Sequence, residues 1–299
     1  MIFDMEEVLD MLKLTIMIYS FGKNIPSNVT TTAELSVIID KLNLKSFEKN
    51  IIKEICETSP RGEILKFIDN EKSGLQAGIT ISHAKKRVCV VFRGTDSITD
   101  WYYNLNIFKT KLNGDKCKVH SGFYNQLNSY NAIYILADKV VETLEEYPKY
   151  QLYVTGHSLG AALATLFSYC LTNKIINTIR LVTFGSPRVG NYYWKKSFET
   201  SNIVHYRVSN NRDVITAVPF FWFYHVGMSI NLEKEFHKYT ITNKSKIFNF
   251  SLLRRFSVRD HNCCNYYEKI KEFVKDYRHY NYDSVFHNIE GSKGDIKEI

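Results

Sequence analysis

Apolar and polar positions follow two different periods along this 299-residue chain, and each change of period marks an element. Residues 4–20 and 45–57 carry apolar side chains at helical spacing, joined through a Ser/Asn/Thr-rich connection at 27–32. Gly78-Ile79-Thr80-Ile81-Ser82 alternates like a half-buried strand, whereas Arg87–Phe92 is continuously apolar, as a central strand is. The polar turn 83–86 between them predicts a hairpin. Phe123, Leu127, Tyr130, Tyr134, Ala137, Val141 and Leu144 predict one long helix stopping before Pro148. Leu152-Tyr153-Val154-Thr155 then reads as a strand. Leu159, Leu163, Leu166, Phe167, Cys170 and Leu171 follow directly at helical spacing. Two further strands, Ile179–Phe184 and 203–208, flank an aromatic-rich helical segment, and a last helix is expected at 266–274. Strands alternating with helices predict an α/β protein, its mostly parallel central sheet covered by helices on both faces. No repeat or low-complexity linker interrupts this order. One domain over 1–279 is expected, and then a tail, 280–299, that lacks an apolar period and reads as flexible.

Gly156-His157-Ser158-Leu159-Gly160 occupies the junction of strand and helix. Serine at the apex of a strand–turn–helix is the context of a nucleophile elbow. Glycines beside it let strand and helix approach closely, and the helix N-terminus aims free N–H groups at the serine oxygen. A serine hydroxyl reacts only when an oriented base takes its proton. The polar loop after strand 203–208, Ser209-Asn210-Asn211-Arg212-Asp213, holds one carboxylate, so Asp213 is the candidate orienter. Of the histidines downstream, His205 and His225 lie in apolar surroundings that suit hydrogen-bonded core residues, and His279 and His287 lie at the start of the tail and within it. His261, in a polar loop opening a helix, suits a positioned base; His237 remains the alternative. The developing oxyanion needs preorganised donors. The N–H of Leu159 is one candidate, and Thr95, in Phe92-Arg93-Gly94-Thr95, is the other. The segment 96–103 that follows, with its large aromatic surface, reads equally as a mobile cover or an ordinary packed loop.

Composition narrows the class of protein. At 44% hydrophobic and 23% charged residues, the chain has the makings of a sizeable core. No run reaches the roughly 18 uninterrupted apolar residues of a membrane span. Asp4, Glu6, Glu7 and Asp10 have the wrong sign for a secretory leader, so an intracellular, cytoplasmic site of action is expected. The six cysteines show no C-x-x-C spacing; Cys89 and Cys170 read as buried small hydrophobes, and adjacent Cys263 and Cys264 make a poor metal pair. The net charge of +8 is partly gathered in Lys244, Lys246, Arg254, Arg255 and Arg259. No nucleic-acid module accompanies it, which leaves a solvated face or a patch for lipid headgroups.

The chain resembles the class 3 lipases, the fungal-type triacylglycerol lipases and their intracellular relatives. The resemblance is carried by Phe92-Arg93-Gly94-Thr95, Asp100-Trp101 with Asn104-Leu105, His120-Ser121-Gly122-Phe123, the Ser158 pentapeptide, and Thr183 to Asn191. It continues in Asn210-Asn211-Arg212-Asp213 with Val218-Pro219, Tyr224-His225-Val226-Gly227, and Asp260-His261. It implies an α/β-hydrolase fold, hydrolysis of lipid carboxylic esters, a triad of Ser158, Asp213 and His261, and Thr95 as an oxyanion residue. It also implies a lid near 98–103, with blocks 120–123 and 184–191 as scaffold. The resemblance covers residues 80–265 and leaves the first 75 unassigned. The expected substrate is an acylglycerol or the sn-1 ester of a phospholipid, met in peripheral contact with a membrane or lipid droplet. No metal, cofactor or nucleic acid is called for. The competing readings are a silent lipid- or protein-binding relative and an acyltransferase or thioesterase on the same scaffold.

Overall fold

The computed structural model describes residues 4–95, 107–112, 114–210, 212–220, 222–233, 239–242 and 257–277. The chain opens with helices α1 (Met5–Ser20), α2 (Thr32–Ile38) and α3 (Ser46–Thr58). Strands β1 (Gly62–Asn70), β2 (Leu75–Ser82) and β3 (Arg87–Phe92) follow, then the short β4 (Lys109–Lys111) and β5 (Lys118–His120). Helices α4 (Ser121–Asn128) and α5 (Ala132–Glu146) lead to β6 (Gln151–His157) and α6 (Leu159–Leu171). After them come β7 (Ile179–Phe184), α7 (Tyr192–Glu199), β8 (Ile203–Asn210), β9 (Met228–Leu232), β10 (Tyr239–Thr242) and α8 (Cys263–Tyr277).

Eight strands form one sheet in the order β1-β2-β3-β6-β7-β8-β9-β10. Its centre, β3 through β9, is parallel, and both edges are antiparallel. Alternation along each strand supplies two cores. On one face Val88, Val90, Leu152, Val154 and Leu181 pack against α4, α5, α6 and α7. On the other, Cys89, Val91, Tyr153, Val182 and Phe184 meet α1, α3 and α8. The sheet is therefore a mostly parallel layer between helices, and the β2–β3 hairpin forms as its polar turn predicts.

Three expectations change. The single long helix is two, because Tyr130 (φ 50) and Asn131 (φ 59) enter the left-handed region and turn the chain between α4 and α5. β1 escaped detection because Glu63, Lys66, Asp69 and Asn70 dilute its apolar positions, although it pairs along most of β2. Cys170 is half-buried rather than buried. The tail 280–299 lies outside the described residues.

Candidate active site

Strand β6 ends at His157, and α6 begins at Leu159, leaving Ser158 alone at the turn with φ 59 and ψ −127. A positive φ is strained for a residue with a Cβ and persists only where its surroundings enforce it. Here the enforcement is close packing. A Cβ on Gly156 would strike the backbone of Gly160, and one on Gly160 would strike Phe92 and Arg93. Ser158 N–H donates to Phe184 O at 3.0 Å, tying the turn to the end of β7.

Asp213 and His261 meet beside this turn. The His261 imidazole Nδ1 lies 2.8 Å from Asp213 Oδ2. The carboxylate also receives the Tyr266 hydroxyl at 2.6 Å on Oδ2 and Ile215 N–H at 2.9 Å on Oδ1. Burial raises the Asp213 pKa, but His261 and the Tyr266 hydroxyl outweigh it and hold the carboxyl below its ordinary value. The two loops are fastened to each other: Asn210 Nδ2 donates to Asp260 O at 2.7 Å, and Ser257 N–H to Arg212 O at 2.8 Å. Gly185 (φ 56) passes directly beneath, since a Cβ there would stand 2.7 Å from Asp213 Oδ2 and 2.8 Å from His261 Nδ1.

His157 links the serine turn to His261. Its Nε2–H donates to the His261 carbonyl at 2.7 Å, and the two rings lie 4.4 Å apart. A carbonyl only accepts, so the neutral ring carries its proton on Nε2, and Nδ1 accepts the Tyr19 hydroxyl at 3.0 Å. Burial and His261 push the His157 pKa down to about 3, which keeps it neutral. Tyr19 comes from α1, so the N-terminal helix reaches the site.

Ser158, Asp213 and His261 are each 0% exposed. Ser158 Oγ and His261 Nε2, the atoms between which a proton would pass, are buried and make no hydrogen bond. Leu159 opens α6, so its N–H belongs to the first turn, where no intrahelical acceptor exists. Gly94 packs on the serine: a Cβ there would lie 2.7 Å from His157 O and 3.3 Å from Ser158 Cβ. Thr95, half-buried, is the next residue along. His205 and His225 are buried and hydrogen-bonded to Thr183 and the Thr216 carbonyl, away from the pair. His237, the segment 98–103 and Lys244, Lys246, Arg254 and Arg255 lie outside the described residues. Among the described residues no three His, Cys, Asp or Glu side chains gather as metal ligands, and no helix is long and apolar enough to cross a membrane.

Sequence reasoning missed Tyr19, Tyr266 and the placement of Gly185. Both tyrosines sit at apolar positions of amphipathic helices, where the pattern reports burial and is silent about a hydroxyl.

A serine on a strained turn between a parallel strand and a helix, with an Asp–His pair on the loops after the following strands, is the arrangement of the α/β-hydrolase fold. Residues 89–223 match the family described as Lipase (class 3). Over 182 residues the chain is 30% identical to a lipase of Rhizomucor miehei, covering 58% of this chain and 49% of the relative. It is 34% identical over 152 residues to the chloroplastic phospholipase A(1) DAD1 of Arabidopsis thaliana, covering 45% and 34%. The crystal structure of a lipase from Rhizopus microsporus var. chinensis superposes with a TM-score of 0.71 over 86% of this chain and 85% of that one, at 23% identity. The chain is thus similar to the class 3 lipase family over residues 89–223, somewhat less than half of its length. Its matches span about half the length, or less, of these curated relatives.

Proposed function

We propose that the protein is a serine carboxylic ester hydrolase acting on lipid acyl esters. Ser158 Oγ attacks the acyl carbonyl while His261 Nε2 takes its proton, and Asp213 holds the imidazole with its other proton on Nδ1. The N–H of Leu159 and the backbone or hydroxyl of Thr95 stabilise the tetrahedral oxyanion. His261 then protonates the leaving alcohol, and water repeats the sequence on the acyl-enzyme. The single observation that carries this reading is the buried Asp213–His261 hydrogen bond at 2.8 Å beside the strained Ser158 turn, with His261 Nε2 and Ser158 Oγ both buried and without hydrogen bonds.

The substrate class is supported by the relatives' names, a lipase and a phospholipase A(1) among them. A lipid surface as partner is supported by exposed apolar side chains: Ile107, Phe108 and Trp222 are 66%, 72% and 75% exposed. The Lys109 ammonium over the Phe223 ring, 3.9 Å from its centroid, brings their two segments together. An intracellular site of action is supported by six unpaired cysteines.

Ser158→Ala should cost roughly 10³-fold or more in kcat on a short-chain nitrophenyl ester with the fold retained. Turnover at the wild-type rate in that variant overturns the reading. Fatty acid release from a panel of acylglycerols and phospholipids then assigns the ester.

A further inference from the structure

The two-stranded hairpin β4–β5 concentrates positive charge. Lys109, Lys111, Lys116 and Lys118 stand within ten positions that hold one carboxylate, Asp115. In the antiparallel register Lys109 faces His120, Thr110 faces Val119, and Lys111 faces Lys118. Val119 is fully buried, so the pleat places Lys109, Lys111 and Lys118 together on the opposite face. Like charges directly across a ladder destabilise it, and Lys111 and Lys118 are such a pair. Asp115, 2.5 Å from Lys111, is the only carboxylate paired with any of the four lysines among the described residues. Burial and the nearby Lys118 lower the Lys109 pKa.

Aromatic rings stand where counter-ions would. The Lys109 ammonium lies over Phe223, Lys116 is 5.9 Å from the Tyr193 ring centroid, and Lys196 is 4.9 Å from that of Tyr192. A ring attracts an ammonium without neutralising it, so these charges remain open to an outside anion. The segments that carry them are fastened into one surface. The Asn191 side chain, at the start of α7, accepts Lys118 N–H at 3.2 Å and donates to Lys116 O at 2.8 Å. Gly190 bridges to Val119 of the hairpin and to Tyr224. Tyr192 and Tyr193 on α7 are exposed, as are Ile107 and Phe108 just before β4. Trp222 is exposed too, and its φ of 55 is strained for a bulky side chain.

We propose that the β4–β5 hairpin, the start of α7 and the segment 222–224 form a docking face for an anionic phospholipid bilayer. Phosphates and negative headgroups supply the counter-ions that the hairpin lacks and relieve the Lys111–Lys118 repulsion. Trp222 and the two tyrosines sit at headgroup level, where amphipathic rings are favoured, and Ile107 and Phe108 reach the acyl boundary. A neutral lipid surface satisfies only the apolar part of this face. The proposal rests on the proposed function for a lipid surface as partner, and not for the chemistry at Ser158.

The test uses the full chain as its Ser158→Ala variant, which leaves the lipid intact. Co-sedimentation is measured with phosphatidylcholine vesicles, alone or with about 30% phosphatidylglycerol. Binding should require the anionic lipid and weaken as sodium chloride is added. Lys116→Gln combined with Lys118→Gln should weaken it about 25-fold, about fivefold for each charge near the surface. Lys116→Arg with Lys118→Arg should bind like the parent, and Trp222→Ala should bind several-fold more weakly. Equal binding to both vesicles, a glutamine pair that binds like the parent, an arginine pair as weak as the glutamine pair, or equally tight capture of a polyuridine oligonucleotide would overturn the proposal. Because turnover is not read, failure here leaves the hydrolytic reading standing, and an inactive wild type leaves the docking face standing.

Discussion

The Tyr266 hydroxyl and the His261 imidazole share one oxygen, Asp213 Oδ2, at 2.6 and 2.8 Å. All three side chains are fully buried. A carboxylate in such a place stays ionised only while donors replace its lost water. Tyr266 is therefore as much a part of the charge balance as the base. It also accepts Asn210 N–H at 3.0 Å, fixing the end of β8.

Tyr266→Phe removes a hydrogen bond to a charged group without opening a cavity. We expect a stability loss of about 2 kcal/mol in urea unfolding and a kcat about tenfold lower. The Asp213 pKa, now held below its ordinary value, should rise. A depressed carboxylate pKa contributes stability that is present above its unfolded value and lost as pH falls through the folded one. The variant's unfolding free energy should therefore depend less on pH in that acidic range. An unchanged acid profile would show that the hydroxyl does not help hold the charge.

Gly185 answers to two constraints at once, a φ of 56 and the space under Asp213 and His261. Gly185→Ala should displace that pair, since the added Cβ would sit 2.7–2.8 Å from both. A displacement on the order of 1 Å costs roughly 100-fold in rate. Single-turnover acylation should fall by that amount while substrate affinity changes little. Wild-type acylation in Gly185→Ala would mean that the pair does not need its present position.

How much of this was legible without coordinates follows from what each residue's neighbours in sequence reveal. The parallel centre of the sheet announces itself through continuous apolar runs such as Val88–Phe92, because both faces are buried. The serine turn is legible for a related reason: strand, two glycines and helix are contiguous. Asp213 and His261 could be nominated by loop chemistry, yet the hydrogen bond between them joins positions 48 apart, and no local pattern encodes it. Tyr19 lies 138 positions from its partner, His157. Buried Arg207 on β8 makes the same point: it pairs across the sheet with Ser229 on β9, a register set by the whole sheet and not by the strand's own alternation.

The contact between Tyr19 and His157 gives the N-terminal helix a role in the site. Tyr19→Phe leaves the buried Nδ1 of His157 without a donor, a loss of about 1–3 kcal/mol. With the ring less firmly held, its 2.7 Å bond to the His261 carbonyl should loosen. We expect kcat to fall several-fold with KM nearly constant. A defect confined to KM would place the effect in substrate binding instead.

Three neutral histidines inside the fold set its response to acid. His157 and His205 have pKa values pushed down to about 3 by burial, reinforced by His261 and Arg207 respectively. His225 is lowered well below its ordinary value by burial and by Arg207 and Arg188. In the unfolded chain all three titrate near 6.5, so between that value and the folded ones the unfolded state binds more protons. Stability is then complete above about pH 6.5 and declines as pH falls toward about 3. At about pH 5 His157 and His205 each account for a loss of about 2 kcal/mol, and His225 adds to it in the same direction, above the range where most carboxylates protonate. Urea unfolding at about pH 7.5 and 5 measures the total, and His205→Gln should remove about 2 kcal/mol of it. A flat profile across that interval would show that these rings carry their protons inside the fold.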